Sequence, residues 1–129
     1  MTKEFITYEQ AMALKELDFD EPCFYHYEYH SERLCEDKAF LIAGNGNKYY
    51  KDTNMEKSVN APLYQQAFRW FREKHNLVFN FISYNIVKPG EYHWSITWND
   101  EAKASGIVKT YEEAELECLN TLIQIVKSK

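Results

Sequence analysis

Thr7-Tyr8-Glu9-Gln10-Ala11 and Thr110-Tyr111-Glu112-Glu113-Ala114 are near-copies of one string at opposite ends of the chain. Each sets a Thr three residues before a Gln or Glu. In that spacing the hydroxyl caps the third helical N–H and the longer side chain reaches back to the Thr N–H. A helix start is therefore fixed near each end, and everything between must supply surfaces on which two amphipathic helices pack. Ile6 before the first cap and Ala11 inside it form a small hydrophobic staple. That helix spans 7–17 and stops where Asp18, Asp20 and Pro22 follow. The last helix spans 111–127. Tyr111, Ala114, Cys118, Leu122 and Ile125 form its stripe, Leu119 and Val126 widen it, and Lys127 and Lys129 suit its C-terminal dipole. Capping chemistry alone produces this likeness, so it is not read as a duplication.

The middle of the chain alternates between the two periods. Residues 23–30 read as a strand, with Tyr25, Tyr27 and Tyr29 on one face and the polar His26, Glu28 and His30 on the exposed other. Residues 31–60 are the least regular part. Ala39 to Ala43 reads as a short strand, Asn45-Gly46 as a tight turn, Lys48 to Lys51 as the return strand, and Asp52 to Asn60 as a polar loop. A helix is predicted over 61–76, capped by Asn60, with Pro62 in its first turn. Tyr64, Ala67, Phe68 and Phe71 form its buried stripe, Leu63 and Trp70 flank it, and Gln65, Arg69, Arg72 and Glu73 face solvent. Residues 77–99 read as a hairpin turning at Pro89-Gly90. Its second arm has the cleanest alternation in the chain: Tyr92, Trp94, Ile96 and Trp98 against His93, Ser95, Thr97 and Asn99. Asp100 to Lys103 reads as a loop, and Ile107 to Lys109 as a short strand or the lead into the last helix. The expected fold is therefore α+β and a single domain over 1–129. Three helices cover one face of an antiparallel sheet of three to five strands, leaving the other face to solvent or a partner.

Composition narrows the function classes. Ten Tyr, eight Phe and three Trp in 129 residues exclude a disordered chain. They fit a tyrosine-lined core, or an adhesive binding face. The net charge of −5 disfavours general attraction to nucleic acid or acidic membranes while permitting a local basic patch. No apolar run approaches the roughly 18 residues of a membrane span. The odd set Cys23, Cys35 and Cys118 has no CxxC spacing, and the N-terminus lacks the apolar stretch of a secretion signal. Thiols in a reducing cytoplasm are expected.

Four constellations are candidates for chemistry. Cys23, His26, His30 and Cys35 have zinc-ligand residue types, and His93 adds a third histidine. A straight strand, however, puts Cys23 on the opposite face and separates His26 from His30 by roughly 13 Å. His26 with Glu28 is the more feasible partial site. The cysteines lack any nucleophile motif, and Cys118 lies on a core stripe. Arg69, Arg72 and Lys74 beside Trp70 and Phe71 pair cations with rings, as single-stranded nucleic-acid sites do. Two acidic clusters, Glu16, Asp18, Asp20 and Glu21, then Glu112, Glu113, Glu115 and Glu117, form a surface for a basic partner or simply a solvated one. No phosphate loop, HExxH, GxSxG or kinase signature occurs, so no catalytic, cofactor-binding or metal residue is assigned.

Three segments carry a family resemblance. They are Ile6 to Ala11 with Leu14-Lys15-Glu16-Leu17; Ala61-Pro62-Leu63-Tyr64-Gln65-Gln66-Ala67-Phe68-Arg69-Trp70-Phe71-Arg72; and Thr110 to Ala114 running into the last helix. In these the chain resembles a family of small phage, prophage and mobile-element proteins, especially of gut bacteria. The second segment is the specific one. The resemblance implies an accessory role in the bacterial cytoplasm and carries no activity and no functional residue. The expected function is a non-enzymatic binding protein with a protein partner or a second copy of itself. The alternatives are nucleic-acid binding through the helix 61–76, or a metal-dependent enzyme using His26, Glu28, His30 or His93.

Overall fold

The computed structural model describes residues 4–30, 38–44, 58–80, 83–84 and 89–128. The chain divides into two compact units, Met1–Leu63 and Tyr64–Lys129. The first contains α1 (Tyr8–Glu16), β1 (Tyr25–His30), β2 (Lys38–Ala43) and β3 (Ser58–Asn60). The second contains α2 (Tyr64–His75), β4 (Leu77–Phe79), β5 (Ser83–Tyr84), β6 (Tyr92–Trp98), β7 (Glu101–Val108) and α3 (Tyr111–Lys127). The fold is α+β, and no helix among the described residues is long and apolar enough to cross a membrane.

In the first unit the capping box forms in full. The Gln10 N–H donates to Thr7 Oγ1 at 3.1 Å, and the Thr7 N–H donates to Gln10 Oε1 at 3.0 Å. The Leu17 N–H bonds back to the carbonyls of Ala13 and Leu14, and Asp18 then leaves the helix at φ 71, a left-handed conformation that Asp tolerates. β1 is the middle strand of an antiparallel sheet of order β2-β1-β3. Ile6, Ala11, Leu14, Val59 and Ala61 form the apolar core. The tyrosine face of β1 tightens it. The Tyr27 hydroxyl donates to the Ile6 carbonyl at 2.7 Å, and the Tyr25 ring meets Phe5 edge-on at 4.8 Å.

Two expectations fail here. Residues 58–60, expected in a loop, form a strand, because Val59 is buried and β1 has a second edge to fill. Asn60 therefore does not cap a helix. Its side-chain amide donates to the Glu21 carbonyl at 3.2 Å, the Ala61 N–H donates to the Tyr25 carbonyl at 2.9 Å, and the Pro62 carbonyl accepts from Ile6. With these groups committed to the sheet, the helix starts at Tyr64 rather than at 61. The expected return strand at 48–51 and the Asn45-Gly46 turn lie outside the described residues.

In the second unit β6 is the hub. β7 pairs along one side, and β4 and β5 pair in succession along the other. The register moves by one residue between β4 and β5, so the first arm of the expected hairpin is two short strands. Gly90 sits at φ 94 in the turn, as a type II turn requires. Leu77, Trp94 and Ile96 are buried on one sheet face. Both helices lie on that face: Phe68 of α2 stacks on Phe79, and Glu117 of α3 approaches Gly106, the cross-strand neighbour of Trp94.

Where a loop was expected at 100–103, β7 runs instead. Asn99 and Asp100 both take positive φ, at 52 and 63, and close a two-residue turn of the kind Asn and Asp favour. The single expected sheet is replaced by two. Each unit has its own sheet, with β1 the middle strand of the first and β6 of the second.

Candidate functional site

Spacing along α2 builds one site. Gln65, Phe68, Arg69 and Arg72 stand at i, i+3, i+4 and i+7, so they lie on one side of the helix. Together with Phe79 and Asn80 at the end of β4 and Tyr111 at the start of α3, they line a groove of about 380 Å³. Phe68 and Phe79 stack at 4.4 Å between centroids with only 11° between ring planes. Phe68 is buried and Phe79 half-buried, so the pair is a firm apolar base with one ring reaching the groove.

The polar groups stand around that base. Arg69 and Arg72 are exposed, and Arg72 has no ion-pair partner among the described residues. Gln65 and Asn80 contribute side-chain amides, and Asn80 Nδ2 is steadied by donating to Ser95 Oγ at 3.3 Å. Tyr111 is 42% exposed and held edge-on against Tyr92 at 6.3 Å. Partial burial, and then the charges of Glu115 and Glu112, push its hydroxyl above the usual tyrosine range. At neutral pH it therefore enters the groove as a neutral donor. Two guanidinium groups, two amides, a phenol and an aromatic base make a surface chemically suited to a negative group joined to something flat.

Sequence reasoning placed the cations here and misplaced the rings. Trp70 and Phe71, offered as stacking partners, are 2% and 0% exposed and belong to the core. Lys74 does not line the groove. The rings that line it are Phe68, Phe79 and Tyr111. Phe79 is remote from the arginines in sequence. Tyr111 was assigned to the buried stripe, but at the first position of α3 it stands beyond the helices' packed region. The spacing of Gln65, Phe68, Arg69 and Arg72 was the available signal.

The histidine candidates separate. His26 and Glu28 come together, with Nε2 to Oε2 at 2.8 Å and side chains 1% and 7% exposed. This overturns the expectation of a solvated polar strand face: β1 is a middle strand, and its polar side is buried too. His26 Nδ1 stands 2.7 Å from the Gly44 carbonyl, which can only accept, so Nδ1 carries the N–H. The contact with Glu28 then needs a proton of its own, shared between the two groups. The result is a buried pair, its side chains 1% and 7% exposed. His93 lies in the other unit, half-exposed and 3.3 Å from Glu91. His30 is the last residue of β1, its backbone opposite Lys38. No group of three metal-ligating side chains converges among the described residues.

Cys23 and Cys118 are buried, and Cys35 lies outside the described residues. Burial, and to a lesser degree Glu117, push the Cys118 thiol far above its usual range, which fits a core residue rather than a nucleophile. The acidic display is partial. Glu16, Asp18 and Asp20 are exposed and Glu21 half-buried; Glu112, Glu113 and Glu117 are exposed, while Glu115 is buried. Glu113 and Glu117 line a second groove along α3, of about 410 Å³. No family model, no curated protein and no solved structure matches this chain.

Proposed function

We propose that this chain is a non-enzymatic binding protein whose contact site is the α2 groove and whose partner presents negative charge there. The observation that carries this reading is the convergence of Arg69 and Arg72 with Tyr111 on one groove, in a chain whose net charge is −5. A general field of that sign repels anions, so local positive charge beside an exposed ring is a specific feature. The resemblance of the segments around Tyr8, Gln65 and Tyr111 to small phage proteins extends the reading to an accessory role in the bacterial cytoplasm. The test is recovery of partners from bacterial lysate on the tagged full chain and on an Arg69→Glu/Arg72→Glu variant, each with and without nuclease. A partner lost on charge reversal supports the groove. Partners recovered equally by both forms overturn it.

Self-association is favoured by a different observation. β7 is the outer strand of its sheet among the described residues, and Ile107 on it is 61% exposed. An open strand edge can pair with a second copy. A dimer mass in solution that Ile107→Lys reduces to the monomer supports this second reading; a monomer across the concentration range overturns it.

A further inference from the structure

Within the proposed reading of the α2 groove, and resting on it, we infer that the anionic partner is single-stranded nucleic acid, held one nucleotide at a time. Charge alone does not choose between a strand of phosphates and an acidic protein, since both satisfy guanidinium groups. The rest of the groove does. A carboxylate side chain has no use for an aromatic base or for a ring wall. A nucleobase uses both, because every base has a flat face that stacks on Phe or Tyr.

The geometry assigns the parts. Phe79 continues a stack already begun with Phe68, the two rings being 11° from parallel, so a base laid on it adds a further layer. Tyr111, edge-on to Tyr92 and 42% exposed, forms the side wall. Arg69 and Arg72 are one helical turn apart, roughly 5 Å along the axis, and span the sugar-phosphate link of the same nucleotide. The amides of Gln65 and Asn80 each offer both a donor and an acceptor, which suits base edges and tolerates more than one base. A groove of about 380 Å³ has room for one nucleotide and none for a duplex, so the base must enter unpaired. This reconciles the acidic chain with nucleic acid: it lacks the extended basic face that duplex backbones require.

The test is fluorescence anisotropy of a labelled 12-nucleotide oligo(dT) against the full chain at low salt. The comparison probes are the same strand annealed to its complement and an equally charged oligoglutamate. Oligo(dT) is expected to bind at least about fivefold more tightly than either. Arg69→Glu/Arg72→Glu is expected to weaken it at least about tenfold. Tyr111→Ala, which leaves both charges, should weaken it about fivefold or more, and Tyr111→Phe should restore binding to within about twofold. Unchanged circular dichroism spectra and melting midpoints establish that the variants fold. Equal binding of oligoglutamate, indifference to Tyr111→Ala, or no oligo(dT) binding by the unaltered chain each overturn the inference. If oligo(dT) fails while a lysate partner is still lost on charge reversal, the groove stands as a contact site and only its ligand class falls. If charge reversal alters neither, both fall.

Discussion

His26 with Glu28 on β1, and Glu91 with His93 at the start of β6, are the same two side chains two residues apart in strand or turn. In the first pair the side chains are 1% and 7% exposed and 2.8 Å apart; in the second Glu91 is 33% and His93 39% exposed, 3.3 Å apart. The chemistry offered is identical and both strands are paired on both sides, so the cover over each strand face makes the difference. On β1 the face carrying His26 and Glu28 is buried, so every hydrogen-bonding atom of His26 needs a partner. Gly44 and Glu28 supply them. The pair in the second unit keeps access to water and has no such obligation. A buried pair is specified by the cost of leaving either member alone, whereas a half-exposed pair is nearly optional.

The largest expected effect follows from that asymmetry. His26→Ala leaves Glu28 buried without its imidazole and should cost about 3–5 kcal/mol, read as a fall in the urea midpoint. Replacing both residues by Leu should cost less than His26→Ala alone, since no buried carboxyl group stays behind and only the Gly44 carbonyl loses its donor. An equal or larger loss for the double variant would mean the pair is valued for more than mutual satisfaction.

A third buried polar group extends the comparison. The Trp94 indole N–H has no hydrogen-bond partner among the described residues. A side chain on Gly106, its cross-strand neighbour, would come within 2.5 Å of both Trp94 Nε1 and Glu117 Oε1. Glu117 is exposed and can swing aside; the indole is 3% exposed and cannot. Gly106→Ala should therefore destabilise the second unit by about 1–3 kcal/mol through overpacking. A red-shifted Trp emission at constant far-ultraviolet dichroism would locate the strain at the indole.

A smaller effect is expected of Glu28→Gln. The amide can donate to the imidazole nitrogen that the carboxyl now faces, so the hydrogen bond survives while the charge goes. The expected cost is about 1 kcal/mol, well below that of Glu28→Ala, by the same urea titration. Parity between the two variants would show that charge, not the hydrogen bond, holds the pair.

Local signals were legible in the sequence, and long-range ones were not. The Thr7–Gln10 capping box, the Thr110 cap, the α2 stripe, the α3 stripe from Ala114 onward and the Tyr92 to Trp98 alternation all depend on residues within one or two turns of each other, and these appear. The burial of His26 was hidden because it depends on what covers its face of β1, which no local pattern marks. The groove was half legible for the same reason. Arg69 and Arg72 announce themselves by helical spacing, while Phe79 and Tyr111 reach them only through packing. The first half of β7 was missed on local grounds, with only its end at Ile107 offered as strand: Asn99-Asp100 is a sound two-residue turn, read as loop because Glu101 to Lys103 is polar and exposed.

The smallest effect tests the other side of the comparison. Glu91→Ala, His93→Ala and the double variant form a cycle whose coupling energy isolates the half-exposed pair from its surroundings. Water competes for both side chains, and holding them together costs rotamer freedom, so a coupling of about 0.2–1 kcal/mol is expected. Because solvent reaches the pair, that coupling should shrink further in about 1 M salt, where the screening length is near the charge separation itself. The corresponding cycle on His26 and Glu28 should be several times larger and should barely respond to salt, since ions cannot enter a site that is 1% exposed. Similar couplings and similar salt responses in the two cycles would break the comparison: spacing, rather than burial, would then set what a histidine and a glutamate two residues apart are worth.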